Sequence, residues 1–593
     1  MIHALTIRSP VARGSLKNIE CPALSDSYFL ITSDMIPGVN TLADFPVPIL
    51  ADRKISYIGQ GLALLVGTEE AVLEELASQI KISVEEEAPV FSGHEYKSDD
   101  IIVKRNYNHG ELDRVLEQSD KVLCETYITG IQEHWYSESH GAVAVPSGGK
   151  RKGGTITVYT ATQWPNHVRK TVADVLGLNS TKVRVNPTLL AVHLDGKIWY
   201  PSLIASQAAL AASITGSPVK LMLTREEDFL YSPKRNRSEI KIRSTLGEKG
   251  AIHSSAIQVT LDLGAEGIFG NEIIEHTCIG ALNAYRRKSF TLNAAGIRTN
   301  IPPQGLMAGF GLSQGFFASE RHVSRIADAL GQDPAEWRKN NYLEKSQNFA
   351  AGQALKENIP FAELIGAAAA MSDYYRKWAS YELLRHSRNK GGGEKWDFIK
   401  DTLRGIGIAT SFQGGGFLYN NESLIGNYGL ETPKRPAKGN RKDFTHPSWA
   451  AVVVEIEINP VSFTPLIRGI WLCVDGGKIL SPREARRSLQ TGIVHALGWT
   501  CREQVQYEEG KIPLELSLGY DIPAPEEIPP IRVDFIKNKS SEPKNIDNLP
   551  FGCVPAAFVQ AVSQAMNHPF EKIPLDARDI WDAWKLKHTE SPQ

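Results

Sequence analysis

The chain has 593 residues, enough for several structural units at ~150 residues each. Its composition, 42% hydrophobic and 22% charged, is that of a globular protein and excludes disordered, collagen-like and small disulfide-stapled chains. The formal net charge of −2 excludes a global positive field for nucleic acid or an anionic membrane. Apolar runs fall short of the ~20 residues of a membrane span, and the first 14 residues lack a signal-peptide core. We therefore expect a cytoplasmic protein.

The N-terminal part of the chain alternates short strands and helices. Residues 54–67 read as a strand, a glycine turn and a buried strand. Thr68 is a good N-cap for a helix that runs to residue 80, and residues 81–86 return as a strand. Residues 147–154 predict a polar turn.

Further along, apolar residues recur at helical spacing. They predict helices at residues 166–178, 203–214, 313–330, 483–497 and 555–566. Gly331 ends one of these helices, and Pro334 opens the next at its first turn. Residues 389–394 predict a linker, residues 420–448 a long surface loop, and residues 450–458 a strand. These alternations favour an α+β multi-domain protein.

Short chemical motifs do not identify an activity. The chain has no phosphate-binding GxxxxGK[ST], no zinc-binding HExxH and no nucleophile GxSxG. Its six cysteines form no CxxC pair, so we expect no zinc site or iron–sulfur cluster. His134 and His140 lie six residues apart, which suits neither a helix face nor a strand face, and predicts ordinary surface or core residues. Each glycine-rich stretch, taken singly, reads as a tight turn.

The order and spacing of longer stretches are more informative. They include Thr162-Gln163-Trp164-Pro165, Thr215-Gly216-Ser217-Pro218-Val219-Lys220, Gly309-Phe310-Gly311, Arg338-Lys339-Asn340-Asn341 and Val474-Asp475-Gly476-Gly477. This ordered set resembles the molybdopterin-binding (large, catalytic) subunit of the xanthine dehydrogenase and aldehyde oxidase family, the molybdenum hydroxylases. The resemblance covers most of the chain and suggests a shortened, motif-degenerate member.

The resemblance implies an α+β multi-domain architecture. An α/β hammerhead domain is expected over residues 1–145 and a first molybdopterin-binding-like domain over residues 146–350. A helical connection and linker would follow over residues 351–400. A reduced second molybdopterin-binding-like domain would then occupy residues 401–593, because the segment that grips the pterin pyrophosphate in the family is missing between Phe412 and Ser448.

The resemblance also assigns residues around the cofactor. Gln163 stands where the family's glutamine bonds the apical metal oxygen, and Gly309, Phe310 and Gly311 retain a cofactor-side turn. The positions that the family uses on the substrate side are changed. They are Leu194 for a phenylalanine, Ile198 for a glutamate, His276 for an arginine and Ala308 for a second arginine.

The general base is the largest change. The family's catalytic glutamate aligns with Leu549, which cannot accept a proton. Glu542 belongs to a shifted Glu-Pro pair seven residues earlier, and is the less favoured replacement. Ser488 stands where a helix of the family presents a glutamine to the pterin. The resemblance therefore confirms no catalytic residue on this chain, and no side chain is expected to ligate a metal directly.

Three functions are compatible with these changes. The first is a catalytically degenerate homologue that acts as a structural subunit of a molybdenum hydroxylase complex. The second is an active molybdenum hydroxylase of N-heterocycles or aldehydes with an unusual site. The third is a protein that binds a small molecule in the vacated cavity, lined by Trp164, Leu194 and Phe310.

The first function carries further expectations. Molybdopterin-molybdenum would be absent or weakly bound, and this chain would carry neither FAD nor an iron–sulfur cluster. Its partners would be FAD-binding and [2Fe-2S] subunits or a full-length paralogue, with no nucleic acid or membrane partner. Gln163 would hydrogen-bond local backbone, and Arg235 would pair with a carboxylate.

Overall fold

A computed structural model describes residues 1–91, 96–111, 122–147, 154–192, 194–347, 355, 358–390, 403–414, 447–537 and 542–589. Within these ranges the strands are β1 Ile2–Arg8, β2 Gly14–Glu20, β3 Phe29–Thr32, β4 Lys54–Ile55, β5 Gly61–Gly67, β6 Lys81–Glu86, β7 Ile101–His109, β8 Val122–Thr129, β9 Gly141–Ser147, β10 Thr155–Thr160, β11 Val183–Pro187, β12 Val219–Met222, β13 Ser238–Leu246, β14 Ile252–Asp262, β15 Ser289–Ile297, β16 Leu403–Gln413, β17 Ser448–Ile458, β18 Pro465–Asp475, β19 Ile531–Phe535 and β20 Lys572–Ile573.

Helices are interspersed throughout the same ranges. They are α1 Glu70–Gln79, α2 Pro165–Leu176, α3 Tyr200–Thr215, α4 Arg225–Tyr231, α5 Gly270–Leu282, α6 Leu312–Ala329, α7 Pro334–Asn341, α8 Phe361–Ser372, α9 Tyr374–Lys390, α10 Pro482–Cys501, α11 Leu514–Leu518, α12 Leu549–Met566 and α13 Ala577–Thr589. The fold is mixed α and β.

The strands form four sheets. The largest has the order β11-β10-β9-β12-β1-β5-β3, and the second has the order β20-β8-β13-β14-β15-β7. A four-stranded sheet follows the order β16-β17-β18-β19, and a small one β4-β2-β6. Residue 145 lies inside β9, and β1 pairs in parallel with β12, so strands from both sides of residue 145 share the largest sheet.

Most predicted helices are present with shifts of a few residues. The apolar segment around residues 203–214 is α3, and it ends at Gly216 in the left-handed conformation (φ 69°). Gly331 follows α6 with φ 63°, and Pro334 opens α7 as expected. The prediction of Thr68 as an N-cap was wrong, since α1 begins at Glu70 with Glu69 as its N-cap. Of the predicted loop over residues 420–448, residues 420–446 lie outside the described residues and Ser448 already begins β17; most of the predicted linker over residues 389–394 also lies outside them.

The helix α12 organises the C-terminal half. It was predicted from Pro555 but begins at Leu549, with Pro555 inside it. Gly405 and Gly407 of β16 face the α12 backbone so closely that a Cβ on either would collide with it. Glycine at these positions therefore lets the helix lie directly on the strand. The same helix is long and apolar enough to cross a membrane, and 94% of it is buried inside the protein.

Candidate functional site

Gln163 lies in the connection between β10 and α2, just before the N-cap Trp164. Its backbone N–H donates to Lys197 O at 2.8 Å, and its side-chain Nε2 donates to Asp195 Oδ1 at 3.2 Å. Asp195 has φ 69°, a left-handed conformation that is uncommon for a side-chain-bearing residue. The side chain of Gln163 therefore bonds a carboxylate, and the expectation that it would bond local backbone was wrong.

The loop that follows is held by its own contacts. Gly196 N–H donates to Tyr136 Oη at 2.9 Å, and Lys197 Nζ contacts the backbone and side-chain oxygens of Glu138 at 3.0 and 3.2 Å. Leu194 and Ile198, two of the changed substrate-side positions, are buried in the main hydrophobic core. Both side chains therefore serve packing in this structure.

The turn before α6 contains three retained positions. Gly309, Phe310 and Gly311 all have positive φ, of 90°, 47° and 90°. A Cβ on Gly311 would collide with the carbonyl of Ile273, so glycine is required there. The neighbouring Ala308 is buried.

His276, on α5, contacts this turn through Nδ1, which lies 3.0 Å from Phe310 O. Burial lowers the pKa of His276 to about 4, so the ring is neutral near pH 7. Ring contacts continue from Phe310 to Phe269 (6.1 Å) and from Phe269 to Trp164 (6.3 Å). The aromatic rings thus connect the Gln163 loop with the turn before α6.

Leu549 begins α12 and is 1% exposed. Its carbonyl accepts a hydrogen bond from Ser411 Oγ at 2.8 Å. Two residues later, the Cβ of Phe551 lies 3.7 Å from the position that a Cβ on Gly309 would take. The start of α12 therefore adjoins the turn that contains Gly309.

Two other positions lie on the surface. Glu542 is exposed, and its backbone carbonyl accepts a hydrogen bond from Lys478 N–H at 3.0 Å, next to the bridge between Gly477 and Pro543. Ser488 is exposed on α10. Neither side chain is buried with the residues around Gln163 and Leu549.

Arg235 is a buried cation whose contacts differ from the predicted pairing with a carboxylate. It is 1% exposed, and its Nε donates to Gln132 Oε1 at 3.0 Å. Its guanidinium carbon lies 4.2 Å from the ring centre of Trp499 and 5.2 Å from that of Phe551. Burial lowers the pKa of Arg235 to about 9. The two aromatic rings hold this cation, in place of the carboxylate that was expected.

Neither Asp195 nor Arg235 could be placed from sequence. Asp195 meets Gln163 across 32 residues, and Arg235 meets Trp499 across 264 residues. The local signal for the first contact is Gly196 directly after Asp195, because an Asp-Gly pair favours a turn. Among the described residues, no group of three or more His, Cys, Asp or Glu side chains is arranged to hold a metal ion.

Sequence models of the molybdopterin cofactor-binding domain match the chain at residues 94–342 and 420–529. Together these two matches cover more than half of the chain. A probable xanthine dehydrogenase subunit of Bacillus subtilis (strain 168) is 25% identical over 440 residues, covering 72% of this chain and 56% of that protein. The nicotinate dehydrogenase large molybdopterin subunit of Eubacterium barkeri is 25% identical over 382 residues, covering 62% of this chain and 88% of that subunit.

Solved structures share the fold. Quinoline 2-oxidoreductase from Pseudomonas putida 86 superposes with a TM-score of 0.83 at 17% identity, covering 99% of this chain and 94% of that one. A Cu,Mo-CO dehydrogenase gives a TM-score of 0.83 at 15% identity, covering 100% of this chain and 96% of that one. In sequence, aldehyde oxidase 2 of Mus musculus is 26% identical over 330 residues, and the match covers 54% of this chain and 24% of that protein. The chain therefore spans under two thirds of some relatives, including the Bacillus protein.

The fold and the two domain matches place the chain among proteins built from the molybdopterin cofactor-binding domain. The chain belongs to the large-subunit family of the molybdenum hydroxylases, which includes xanthine dehydrogenases and aldehyde oxidases.

Proposed function

We propose that this chain is a homologue of the molybdenum hydroxylase large subunit that does not hydroxylate by the family's route and serves as a structural subunit of a molybdenum hydroxylase complex. The observation that carries the proposal is Leu549, a fully buried aliphatic side chain at the position assigned to the general base. A leucine cannot take a proton from a nucleophile.

The residues at the metal end of the site do not fit the family's metal group. The amide nitrogen of Gln163, which would meet a metal oxygen, donates instead to the chain's own Asp195. His276 stands in place of a permanently charged arginine and is neutral near pH 7 because burial lowers its pKa to about 4.

The case for a structural role rests on what the chain retains. Its fold superposes over its full length on a chain of a Cu,Mo-CO dehydrogenase. Two of its relatives are named as subunits. We propose that it associates with FAD-binding and [2Fe-2S] subunits or with a full-length paralogue, through an interface of ~1,600 Å² or more.

Co-expression with the products of adjacent genes tests this proposal. The expected result is a stable complex, seen by size-exclusion chromatography with light scattering, in which this chain holds no stoichiometric molybdenum. A chain that stays monomeric with every such partner would contradict the structural role. It would favour instead a protein that binds a small molecule.

A further inference from the structure

A cavity lies near the C-terminal end of α12, whereas Leu549 lies at the N-terminal end of that helix. It has a volume of about 320 Å³, is partly open to solvent, and is lined mainly by α6, α9, α12 and the segments that follow α6 and α12. Gln560, which lines it, is eleven residues beyond Leu549, or ~17 Å along the helix axis. This cavity is therefore separate from the site described above.

Arg321 of α6 lines the cavity and is 1% exposed. Its Nε and Nη2 donate to Phe570 O at 3.2 and 3.0 Å, and Nη2 also reaches Ser563 Oγ at 3.2 Å. Within the described part of the chain, no acceptor meets its third nitrogen, Nη1. Its ion-pair partner, Glu571, is 3.8 Å from Nη2. The guanidinium therefore keeps one donor nitrogen unused.

Gln560 of α12 presents a second unused donor. It is 8% exposed, and its Oε1 accepts a hydrogen bond from Ile408 N–H of β16 at 2.9 Å. Because a backbone N–H must meet the oxygen, this bond fixes which end of the amide is nitrogen. The nitrogen Nε2 has no acceptor among the residues that the structure describes.

The carboxylates of the cavity are already engaged. Asp328 contacts Arg385 at 2.7 Å and Arg325 at 3.4 Å. Glu382 contacts Arg385 at 2.7 Å and accepts a hydrogen bond from Gln564 Nε2 at 2.7 Å. Arg325 also contacts Glu571 at 3.1 Å and Glu125 at 3.2 Å, so the carboxylates near the cavity have arginine partners of their own. A ligand that supplies acceptor oxygens can pair with the two nitrogens of Arg321 and Gln560 that these contacts leave unused.

We propose that this cavity binds a small oxyanion, the phosphate or carboxylate group of a metabolite, through Arg321 and Gln560. The free Nη1 of a guanidinium and the N–H of an amide can together meet the oxygens of such a group. The half-buried Trp378 lines the same cavity and offers an apolar wall for the rest of the ligand. This site does not depend on the proposed role of the chain in a complex.

The substitution Gln560→Glu tests the site. It keeps an oxygen for Ile408 N–H, removes the donor nitrogen and adds a negative charge against the incoming anion. The matched control is Gln332→Glu, which adds the same charge at an exposed position of the same cavity. We expect Gln560→Glu to weaken anion binding by about tenfold or more and Gln332→Glu to change it by less than about threefold.

Calorimetric titration of the full chain with inorganic phosphate, phenyl phosphate, acetate and benzoate, at constant ionic strength, measures these effects. Binding of the two phosphates alone identifies a phosphate ligand, and binding of benzoate and acetate alone identifies a carboxylate; both results support the site. Absence of binding by all four, or equal weakening in the two variants, would overturn the proposal.

A measurement on the unsubstituted chain covers the case in which Gln560→Glu does not fold. The anion that binds should slow amide hydrogen exchange in the peptides around Ser563 and Phe570, relative to chloride. Exchange unchanged by any of the four anions would overturn the proposal without any variant.

Discussion

Replacing Leu549 with glutamate places a carboxyl group where the family has its base. The side chain of Leu549 is 1% exposed, and removing it forfeits ~1.5–3 kcal/mol of burial free energy. The new carboxyl, with an unfolded-state pKa near ~4.3, must stay protonated or be desolvated as an anion. Holding it protonated at pH 7.5 costs up to ~4 kcal/mol, while the N-terminus of α12 returns ~1 kcal/mol at most. We expect a net loss of ~5 kcal/mol for Leu549→Glu.

The control is Leu549→Gln, which has a similar shape and no charge. Burial raises the pKa of the introduced carboxyl in the folded chain, so the unfolded chain releases its proton first. The free energy of unfolding of Leu549→Glu then falls with rising pH, by ~1.4 kcal/mol per unit, until the folded-state pKa is passed. The two variants should have similar melting temperatures at pH 4.5 and diverge towards pH 7.5.

Thermal unfolding of both variants by circular dichroism, at several pH values, measures this divergence. Equal melting temperatures at pH 7.5 would refute the reasoning, because they would mean that water or a cation reaches position 549. Hydroxylation of a purine or an aldehyde by Leu549→Glu would show that the rest of the site is competent, and would contradict the proposed loss of the family's reaction.

Three other outcomes are expected. The fully buried Arg338 lies 2.9 Å from an oxygen of Glu320. Glu320→Gln removes the counter-charge of that arginine and should lower the free energy of unfolding by ~3–5 kcal/mol in urea titrations. Gly407→Ala should destabilise the chain because the new Cβ meets the α12 backbone, whereas Gly366→Ala, with open space around it in α8, should stabilise it by ~0.5–1 kcal/mol in the same assay. Burial raises the pKa of Glu503 to about 8, so the free energy of unfolding falls as pH rises towards 8. The melting temperature of Glu503→Gln, measured relative to that of the unsubstituted chain, should therefore increase between pH 5 and pH 9.

The sequence predicted those elements whose signals are local. The apolar stripe and the Gly331 stop placed α6 to within one residue, since amphipathic spacing and a left-handed C-terminal glycine act over a single helix. The start of α12 was missed because Pro555 reads as a first-turn residue. Packing against β16 outweighs that local signal, so the helix continues through the proline from Leu549.

The candidate site was predicted only in part, because its contacts are long-range. The positions of Gln163, Phe310 and Leu549 followed from an ordered resemblance, and the aromatic contacts between loops bring the first two into one region. The contact between Gln163 and Asp195 depends on the path of a loop 32 residues away. The aromatic enclosure of Arg235 depends on α10 and α12, which follow it by more than 240 residues. No local pattern encodes either contact.

The molybdenum content of this chain, purified within the complex it forms when co-expressed with its genomic neighbours in a host that makes molybdopterin, tests the central claim most directly. Metal analysis by mass spectrometry, normalised to this chain after its separation from the partners under native conditions, should give far less than one molybdenum per chain. One molybdenum per chain, with pterin in equal amount, would contradict the account.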